Sequence, residues 1–203
     1  DFVPKPYNQR VVKARINSVI KLRESAAALS AIEYDDLTGL YTKSAFYYHA
    51  GILMRYKPDQ SYVVVIADVK NFKLINNIYG IRVGDDILRY LAKIMSKALT
   101  DGLAARYSDD QFVMFTSIPK NDFEKYLENA VRYISENAPI TNLLVKYGVY
   151  KDVDKSISIS EICDRAIMAM KSIQLNYEKN IKEMFSGFRN GRIVCVVNWL
   201  WKK

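Results

Sequence analysis

Two aspartates lie at positions from which their carboxylates could bind a divalent cation. Asp68 follows the apolar run 63–67, which is typical of a buried strand. Asp110 lies in a polar segment between two further apolar runs, 102–105 and 113–115, and this pattern predicts a β-hairpin with Asp110 at its tip. If the strands are neighbours, both carboxylates face one ion, and Mg²⁺ commonly takes one or two carboxylates with phosphate and water. Taken singly, each aspartate is also explained as a strand-end cap or a turn residue.

The alternation of apolar and polar stretches predicts the elements that position these aspartates. They are a helix at 42–56, a strand at 61–67, a helical region at 71–99, a hairpin at 103–117, a helix at 121–136, a strand at 142–150 and a helix at 158–175. Strands and helices mix without a regular βαβ repeat. This order predicts an α+β fold in which a mainly antiparallel central sheet of about five strands carries helices packed on it.

Both flanks of this region have patterns of their own. Residues 10–33 lack glycine and proline and predict an N-terminal linker helix. Its apolar residues on a/d-type spacing allow either a helix packed on its own domain or a dimer stalk; they are Val12, Val19, Leu22, Ala26 and Leu29. The apolar stretch 193–201 predicts either a final strand or the beginning of a longer segment.

Composition and charge narrow the class of protein. Of the 203 residues half are hydrophobic, which predicts a sizeable core. The net charge is +8, but the 30 lysines and arginines are scattered among 22 acidic residues, so no nucleic-acid partner is expected. No apolar run approaches the roughly 18 residues of a membrane span, and no signal peptide opens the chain. With only Cys163 and Cys195 as cysteines, we expect free thiols and a cytoplasmic location.

Four fragments of the chain belong together by order and spacing. They are Asp35-Asp36-Leu37-Thr38-Gly39-Leu40-Tyr41 with Ala45-Phe46, then Asp68-Val69-Lys70-Asn71-Phe72-Lys73-Leu74-Ile75-Asn76-Asn77-Ile78-Tyr79-Gly80 continuing to Gly84-Asp85, then the hairpin tip at 106–112, and Cys163-Asp164-Arg165-Ala166 through Lys171. In this arrangement the chain closely resembles the GGDEF family of diguanylate cyclases, over roughly residues 34–185. The second fragment is the most specific of the four.

The resemblance implies a ferredoxin-like, nucleotidyl-cyclase-like fold and a chemistry. In this family two GTP molecules are joined into cyclic di-GMP, and metal ions neutralise the phosphate charge. The implied roles are metal binding by Asp68 and Asp110, guanine recognition by Asn76 and Asp85, and phosphate contact by Lys73 and Lys171. Asn76 is otherwise an ordinary mid-helix polar residue, Asp85 a helix cap, and the two lysines solvated surface residues.

The signature that names the family is altered in this chain. Its two glycines, acidic pair and phenylalanine correspond here to Ser108, Asp109, Asp110, Gln111 and Phe112. Asp109 adds a negative charge where a phosphate ligand would dock. The glycines allow a tight hairpin with positive φ, and aspartate can also adopt this left-handed geometry, so the hairpin itself is expected to survive. Gln111 replaces the second acidic residue, and an amide neither accepts a proton at neutral pH nor binds magnesium well.

Further departures point the same way. Lys70 replaces an acidic residue that is frequent in the family, Ile81 a histidine, and Leu175 an arginine. The inhibitory-site pattern of arginine and aspartate would fall on Leu99 and Gly102, so product feedback at that site is not expected.

The N-terminal residues Phe2-Val3-Pro4-Lys5-Pro6 resemble the end of a response-regulator receiver domain. The expected division is therefore a receiver remnant and linker at 1–33, a GGDEF-like domain at 34–187 and a tail at 188–203. We expect a degenerate, catalytically inactive regulatory module of cyclic di-GMP and two-component signalling. Its candidate ligand is GTP, its candidate cofactor is Mg²⁺, and its expected partners are its receiver domain, a phosphodiesterase domain outside this chain and a second copy. The alternatives are an active diguanylate cyclase and a dimerisation or scaffold module without nucleotide.

Overall fold

The computed structural model describes residues 9–99, 101–117, 129, 132–134, 136–141, 143–172 and 193–197. In these ranges a six-stranded sheet carries helices on both faces. The elements are α1 (Gln9–Glu33), β1 (Tyr41–Thr42), α2 (Lys43–Tyr56), β2 (Val63–Val69), α3 (Phe72–Tyr79), α4 (Ile81–Ala98), β3 (Gly102–Arg106), β4 (Gln111–Thr116), β5 (Val145–Tyr150), α5 (Ile159–Ser172) and β6 (Ile193–Val197). Residues 2–6, Leu175, most of the predicted helix at 121–136 and residues 198–203 lie outside the described ranges.

The sheet confirms the predicted α+β fold. Its strand order is β1-β3-β4-β2-β5-β6, and every pair is antiparallel except the short parallel contact of β1 with β3. Five longer strands accompany the two-residue β1. The last of them, β6, pairs with β5, so residues 193–197 form a strand, which is one of the two alternatives that the sequence left open.

Strand β2 lies inside the sheet because its run of valine, isoleucine and alanine can be buried on both faces. Val63, Val65, Ala67 and Val69 face a cluster formed with α4, while Val64 and Ile66 face a cluster formed with α2 and α5. Fully burying such a side chain contributes roughly 1.5–3 kcal/mol. The strand is thus firmly fixed, and so is the position of Asp68 near its end.

The predicted helical region at 71–99 is two helices, because Gly80 interrupts it with a φ of 89°. Helix α4 packs an apolar stripe on the sheet, whereas α3 contains no fully buried residue. Gly84 lets the two helices approach closely, since a Cβ added there would lie 1.9 Å from Asn76 Oδ1.

Helix α1 contacts the rest of the fold at its C-terminal end. Thr42 Oγ1 donates to the carbonyl of Ile32 (2.8 Å), and His49 Nε2 lies 2.8 Å from Glu33 Oε1. Nearer to the middle of α1, the apolar side chains of Val19 and Leu22 are exposed. These two side chains therefore have little contact with the part of the domain that the structure describes. None of the helices in the described ranges is long and apolar enough to cross a membrane.

Candidate functional site

Asp68 lies between two direct cross-strand neighbours, Gln111 of β4 and Lys146 of β5. Gln111 Nε2 donates a hydrogen bond of 2.7 Å to Asp68 Oδ2. Residues directly opposite each other in an antiparallel pair project from the same face of the sheet. The carboxylate of Asp68 therefore shares its face with an amide on one side and a lysine on the other.

Asp110 precedes β4 and lies beside the end of β2, because its carbonyl accepts a hydrogen bond from the Val69 amide (3.2 Å). Burial raises the pKa of the Asp110 carboxyl, and the nearby charge of Asp68 raises it further. The structure thus brings together the two carboxylates that the sequence singled out. Their role as metal ligands stays a prediction.

The hairpin tip closes without the glycines of the family signature. The Tyr107 and Ser108 amides both donate to the carbonyl of Gln111, at 2.7 and 3.2 Å. In the described residues, only Asn71 and Asp152 among non-glycines have a positive φ. Asp109 does not use the left-handed conformation that aspartate tolerates: the four-residue connection closes with ordinary backbone angles, and both Ser108 and Asp109 are exposed.

An ion pair holds the base of this hairpin. Arg106 Nη1 lies 3.1 Å from Asp35 Oδ2, while its Nη2 donates to the carbonyl of Asp109 (2.8 Å). Asp35 also accepts from the amide and hydroxyl of Thr38, at 2.9 and 2.6 Å. Burial alone would raise the pKa of Asp35, but these hydrogen bonds and the Arg106 charge outweigh it and lower that pKa. The first and third sequence fragments are therefore joined in space.

The turn between β2 and α3 is shaped by Asn71, which has φ 58° and ψ 34°. Asparagine is one of the few residues that visit this left-handed region routinely. The Lys70 amide donates to the carbonyl of Leu144 (2.9 Å), which ties the turn to the segment before β5. Helix α3 consequently begins four residues after Asp68.

Asn76 and Asp85 lie on the facing helices α3 and α4. Asn76 Oδ1 is buried and has no hydrogen-bond partner among the described residues. This atom lies against Gly84, which precedes Asp85 in α4. The side chain of Asp85 is half-buried. A buried polar atom without a partner costs about 1–3 kcal/mol, and such atoms in native proteins commonly face a ligand or a water.

The two lysines that are predicted to contact phosphate belong to helices on opposite faces of the sheet. Lys73 is exposed on α3, whose Phe72 and Ile75 pack in the α4 cluster. Lys171 is exposed in the last turn of α5, on the opposite face of the sheet. Asp68 shares this second face, since its even-numbered neighbours Val64 and Ile66 pack there. Of the two lysines, only Lys171 lies on the same face as Asp68.

Lys146 is a further candidate that sequence reasoning missed. Nothing in the run Val145–Tyr150 distinguishes it from an ordinary half-buried strand lysine. Its position opposite Asp68 follows only from the register of β5 on β2. The signal available in the sequence was weak: a lysine in an otherwise apolar strand.

The described residues do not fit a preformed magnesium site. No group of three or more His, Cys, Asp or Glu side chains in the described ranges could hold a metal ion. Two carboxylates with phosphate and water can suffice for Mg²⁺, but one oxygen of Asp68 already accepts the Gln111 amide. A metal ion at this position would have to displace that hydrogen bond.

The antiparallel sheet, its helices on both faces and the carboxylates beside a hairpin define a nucleotidyl cyclase-like α+β domain. The family model described as "Diguanylate cyclase, GGDEF domain" matches residues 32–180. This match covers more than half of the chain, and the chain belongs to the GGDEF family, whose members act in cyclic di-GMP signalling.

Known proteins similar to the chain agree with this assignment. Diguanylate cyclase VdcA of Vibrio cholerae is 33% identical over 88 residues, which are 40% of this chain and 24% of that protein. The probable diguanylate cyclase DgcF of Escherichia coli K12 is 35% identical over 102 residues, 50% of this chain and 30% of that protein. The match therefore spans less than a third of either relative.

Solved structures support the fold. The crystal structure of the coiled coil and GGDEF domain of DgcB from Caulobacter crescentus, in complex with c-di-GMP, superposes with a TM-score of 0.69 at 19% identity. The superposition covers 83% of this chain and 95% of that one.

Proposed function

We propose that this GGDEF domain is a catalytically inactive regulatory module whose pocket binds a guanine nucleotide, with GTP as the candidate ligand. The observation that supports the loss of catalysis most directly is the hydrogen bond from Gln111 Nε2 to Asp68 Oδ2 (2.7 Å). The family signature has an acidic residue at position 111. In this chain the Gln111 side chain instead donates a hydrogen bond to the carboxylate of Asp68.

Cyclisation of two nucleotides requires a group that removes the proton of the attacking hydroxyl and cations that neutralise the phosphates. Gln111 accepts no proton at neutral pH. Lys70 replaces another acidic residue of the family pattern, and exposed Asp109 adds negative charge at the hairpin tip. Asp68 and Asp110 are on this view the remnant of a metal site, for which Mg²⁺ would be the family's cofactor.

Retention of a nucleotide pocket is supported by the pair of helices α3 and α4. A carboxylate such as Asp85 can accept hydrogen bonds from the guanine N1 and N2 hydrogens, and an amide such as Asn76 can bind another edge of the base. The unpartnered, buried Oδ1 of Asn76 supports a ligand at this position. Lys73 and Lys171 are the proposed phosphate contacts.

Assembly is a separate part of the proposal. The exposed aliphatic residues of α1, among them Ile16, Val19 and Leu22, support pairing of two copies through this helix. A receiver domain before α1 and a phosphodiesterase domain elsewhere are the proposed signalling partners. The exposed aliphatic residues of α1 also favour the alternative in which the domain is a dimerisation or scaffold module without nucleotide. The other alternative, an active cyclase, has only the retained Asp68, Asp110, Asn76 and Asp85 in its support.

A titration with GTP and Mg²⁺, with a parallel chromatographic assay for cyclic di-GMP, tests the proposal. We expect binding without product. The variant Asp85→Ala should weaken binding by about tenfold or more, because a charged hydrogen-bond acceptor is lost. Asp86→Ala is the matched control, since Asp86 is the exposed neighbour that pairs with Arg89 at the surface. Product formation by the purified chain would contradict inactivity, and a folded chain that binds no GTP would leave the scaffold alternative.

A further inference from the structure

Lys146 and Gln111 flank Asp68 in one row across three strands. Both are directly opposite Asp68 in the register of the sheet. In such pairs the Cβ atoms lie about 4.5–5.5 Å apart, so the three side chains are neighbours on one face. The Gln111 amide is committed to Asp68 Oδ2. The ammonium group of Lys146 makes no hydrogen bond or ion pair with any residue that the structure describes.

The row lies on the face of the sheet that α5 covers. Helix α5 crosses β5 closely at Gly148, where an added Cβ would lie 2.0 Å from the carbonyl oxygen of Ala166 and 2.9 Å from Met170 Cβ. Lys171 follows Met170 in the last turn of α5, and Lys146 lies two residues from Gly148 along β5. Both lysines therefore belong to elements that meet on the face of the sheet on which Asp68 lies.

Two carboxylates, Asp68 and Asp110, lie close together at this position. Burial raises the pKa of the Asp110 carboxyl, and the nearby charge of Asp68 raises it further. A divalent cation would relieve this repulsion, but the Gln111 amide already occupies one oxygen of Asp68. A lysine ammonium is a compact point charge that can face both a carboxylate and a phosphate.

We propose that Lys146 has taken the place of the divalent cation in this domain. Its ammonium group contacts the phosphates of a bound nucleoside phosphate while Gln111 holds Asp68, and the ligand binds without metal. This inference rests on the proposed nucleotide binding and adds a phosphate-binding residue and metal independence to it. Lys171 contributes a second positive charge from α5.

The first test compares GTP binding in Mg²⁺ with GTP binding in excess EDTA, by calorimetry on the unmodified chain. We expect dissociation constants that agree within about twofold, since no metal contact is lost. Binding in Mg²⁺ that disappears in EDTA would overturn metal independence and leave the proposed nucleotide function standing. Absence of binding under both conditions would overturn the proposed function and this inference with it.

The second test removes the lysine. In EDTA, Lys146→Met should weaken GTP binding by about tenfold or more, because a charge-assisted contact with the phosphates is lost. Lys93→Met, at an exposed position of α4, should leave the affinity unchanged. Lys146→Arg keeps the charge and should restore much of the affinity, which separates loss of contact from misfolding. Equal affinity of the Lys146→Met variant and the unmodified chain would refute the assignment.

The third test restores the acidic residue. Gln111→Glu places a second carboxylate beside Asp68, so GTP binding should weaken in EDTA and recover on addition of Mg²⁺. A variant whose binding stays insensitive to Mg²⁺ would show that Gln111 does not determine metal dependence.

Discussion

Gln111 and Asp68 are direct cross-strand neighbours, and the amide of the first donates a 2.7 Å hydrogen bond to the carboxylate of the second. The family signature would place two acidic side chains here, which repel each other unless a cation lies between them. A neutral donor next to a carboxylate needs no such cation. The substitution therefore changes the electrostatics of the site while leaving the register of the sheet intact.

The first prediction concerns this hydrogen bond. Gln111→Leu leaves a half-buried carboxylate oxygen without its donor, so the free energy of unfolding should fall by about 1–3 kcal/mol, measured by urea denaturation. In an Asp68→Asn background the same change should cost less, because no unpaired charge remains. If the losses in the free energy of unfolding of Gln111→Leu and Asp68→Asn simply add in the double variant, the two side chains are not energetically linked.

The second prediction concerns Asp110. Burial and the neighbouring charge of Asp68 raise the pKa of Asp110 in the folded chain above its ordinary value of 3.8. The stability that protonated Asp110 contributes is therefore fully present below the pKa of this group in the unfolded chain. It is lost as pH rises through the pKa in the folded chain. Asp110→Asn should therefore have a higher melting temperature than the unmodified chain at pH 7, with a difference that shrinks below about pH 4.

Asp109→Asn serves as the control for that measurement, because Asp109 is exposed at the same tip. Its effect on melting temperature should be smaller. A neutral-pH melting temperature that falls in Asp110→Asn would mean that the carboxylate stabilises the hairpin.

The third prediction concerns the ion pair of Asp35 with Arg106. The pKa of Asp35 is lowered from its ordinary value of 3.8, so its stabilising contribution is present above that value and is lost as pH falls through the pKa of the folded chain. Asp35→Asn should be less stable than the unmodified chain at pH 7 by about 1–3 kcal/mol. The difference should vanish in denaturation curves recorded at the acid end, and a constant difference across pH would contradict the assignment.

The fourth prediction concerns the contact of α3 with α4. Gly84→Ala would place a Cβ 1.9 Å from Asn76 Oδ1 and 3.1 Å from Phe72 Cζ, so these side chains or the two helices must shift. We expect a loss of about 1–3 kcal/mol in the free energy of unfolding, as is usual for overpacking.

Gly51→Ala is the matched control. Gly51 lies in α2 and has no atom within 4 Å of an added Cβ. Alanine there should stabilise the chain by up to about 1 kcal/mol, because alanine is the better helix former. If both substitutions stabilise equally, Asn76 does not press on Gly84.

The α+β class and most elements were accessible from the sequence because they depend on local patterns. The unbroken apolar run of β2 predicted a buried strand, and the polar segment between two apolar runs predicted the hairpin at the observed place. The interruption at Gly80 was missed, because α3 and α4 have continuous helical periodicity on either side of it.

The hairpin tip shows a different limit. The family's glycines allow a positive φ at the tip, which aspartate tolerates, but the turn is long enough to close without a positive φ at Asp109. The residue that needs the left-handed conformation is Asn71, in the turn after Asp68. Backbone angles in turns depend on the separation and twist of the flanking strands, which residue types alone do not specify.

The sequence by itself determined that Asp68 ends a buried strand, that Asp110 and Gln111 lie at a hairpin, and that the family signature is altered. These conclusions need only the order of residues and their polarity. Only the tertiary structure decided that Gln111 donates to Asp68 and that Lys146 lies on the other side of the same carboxylate. The reason is register: a shift of one residue between antiparallel strands would move Lys146 to the opposite face, and register is set by packing across the whole sheet.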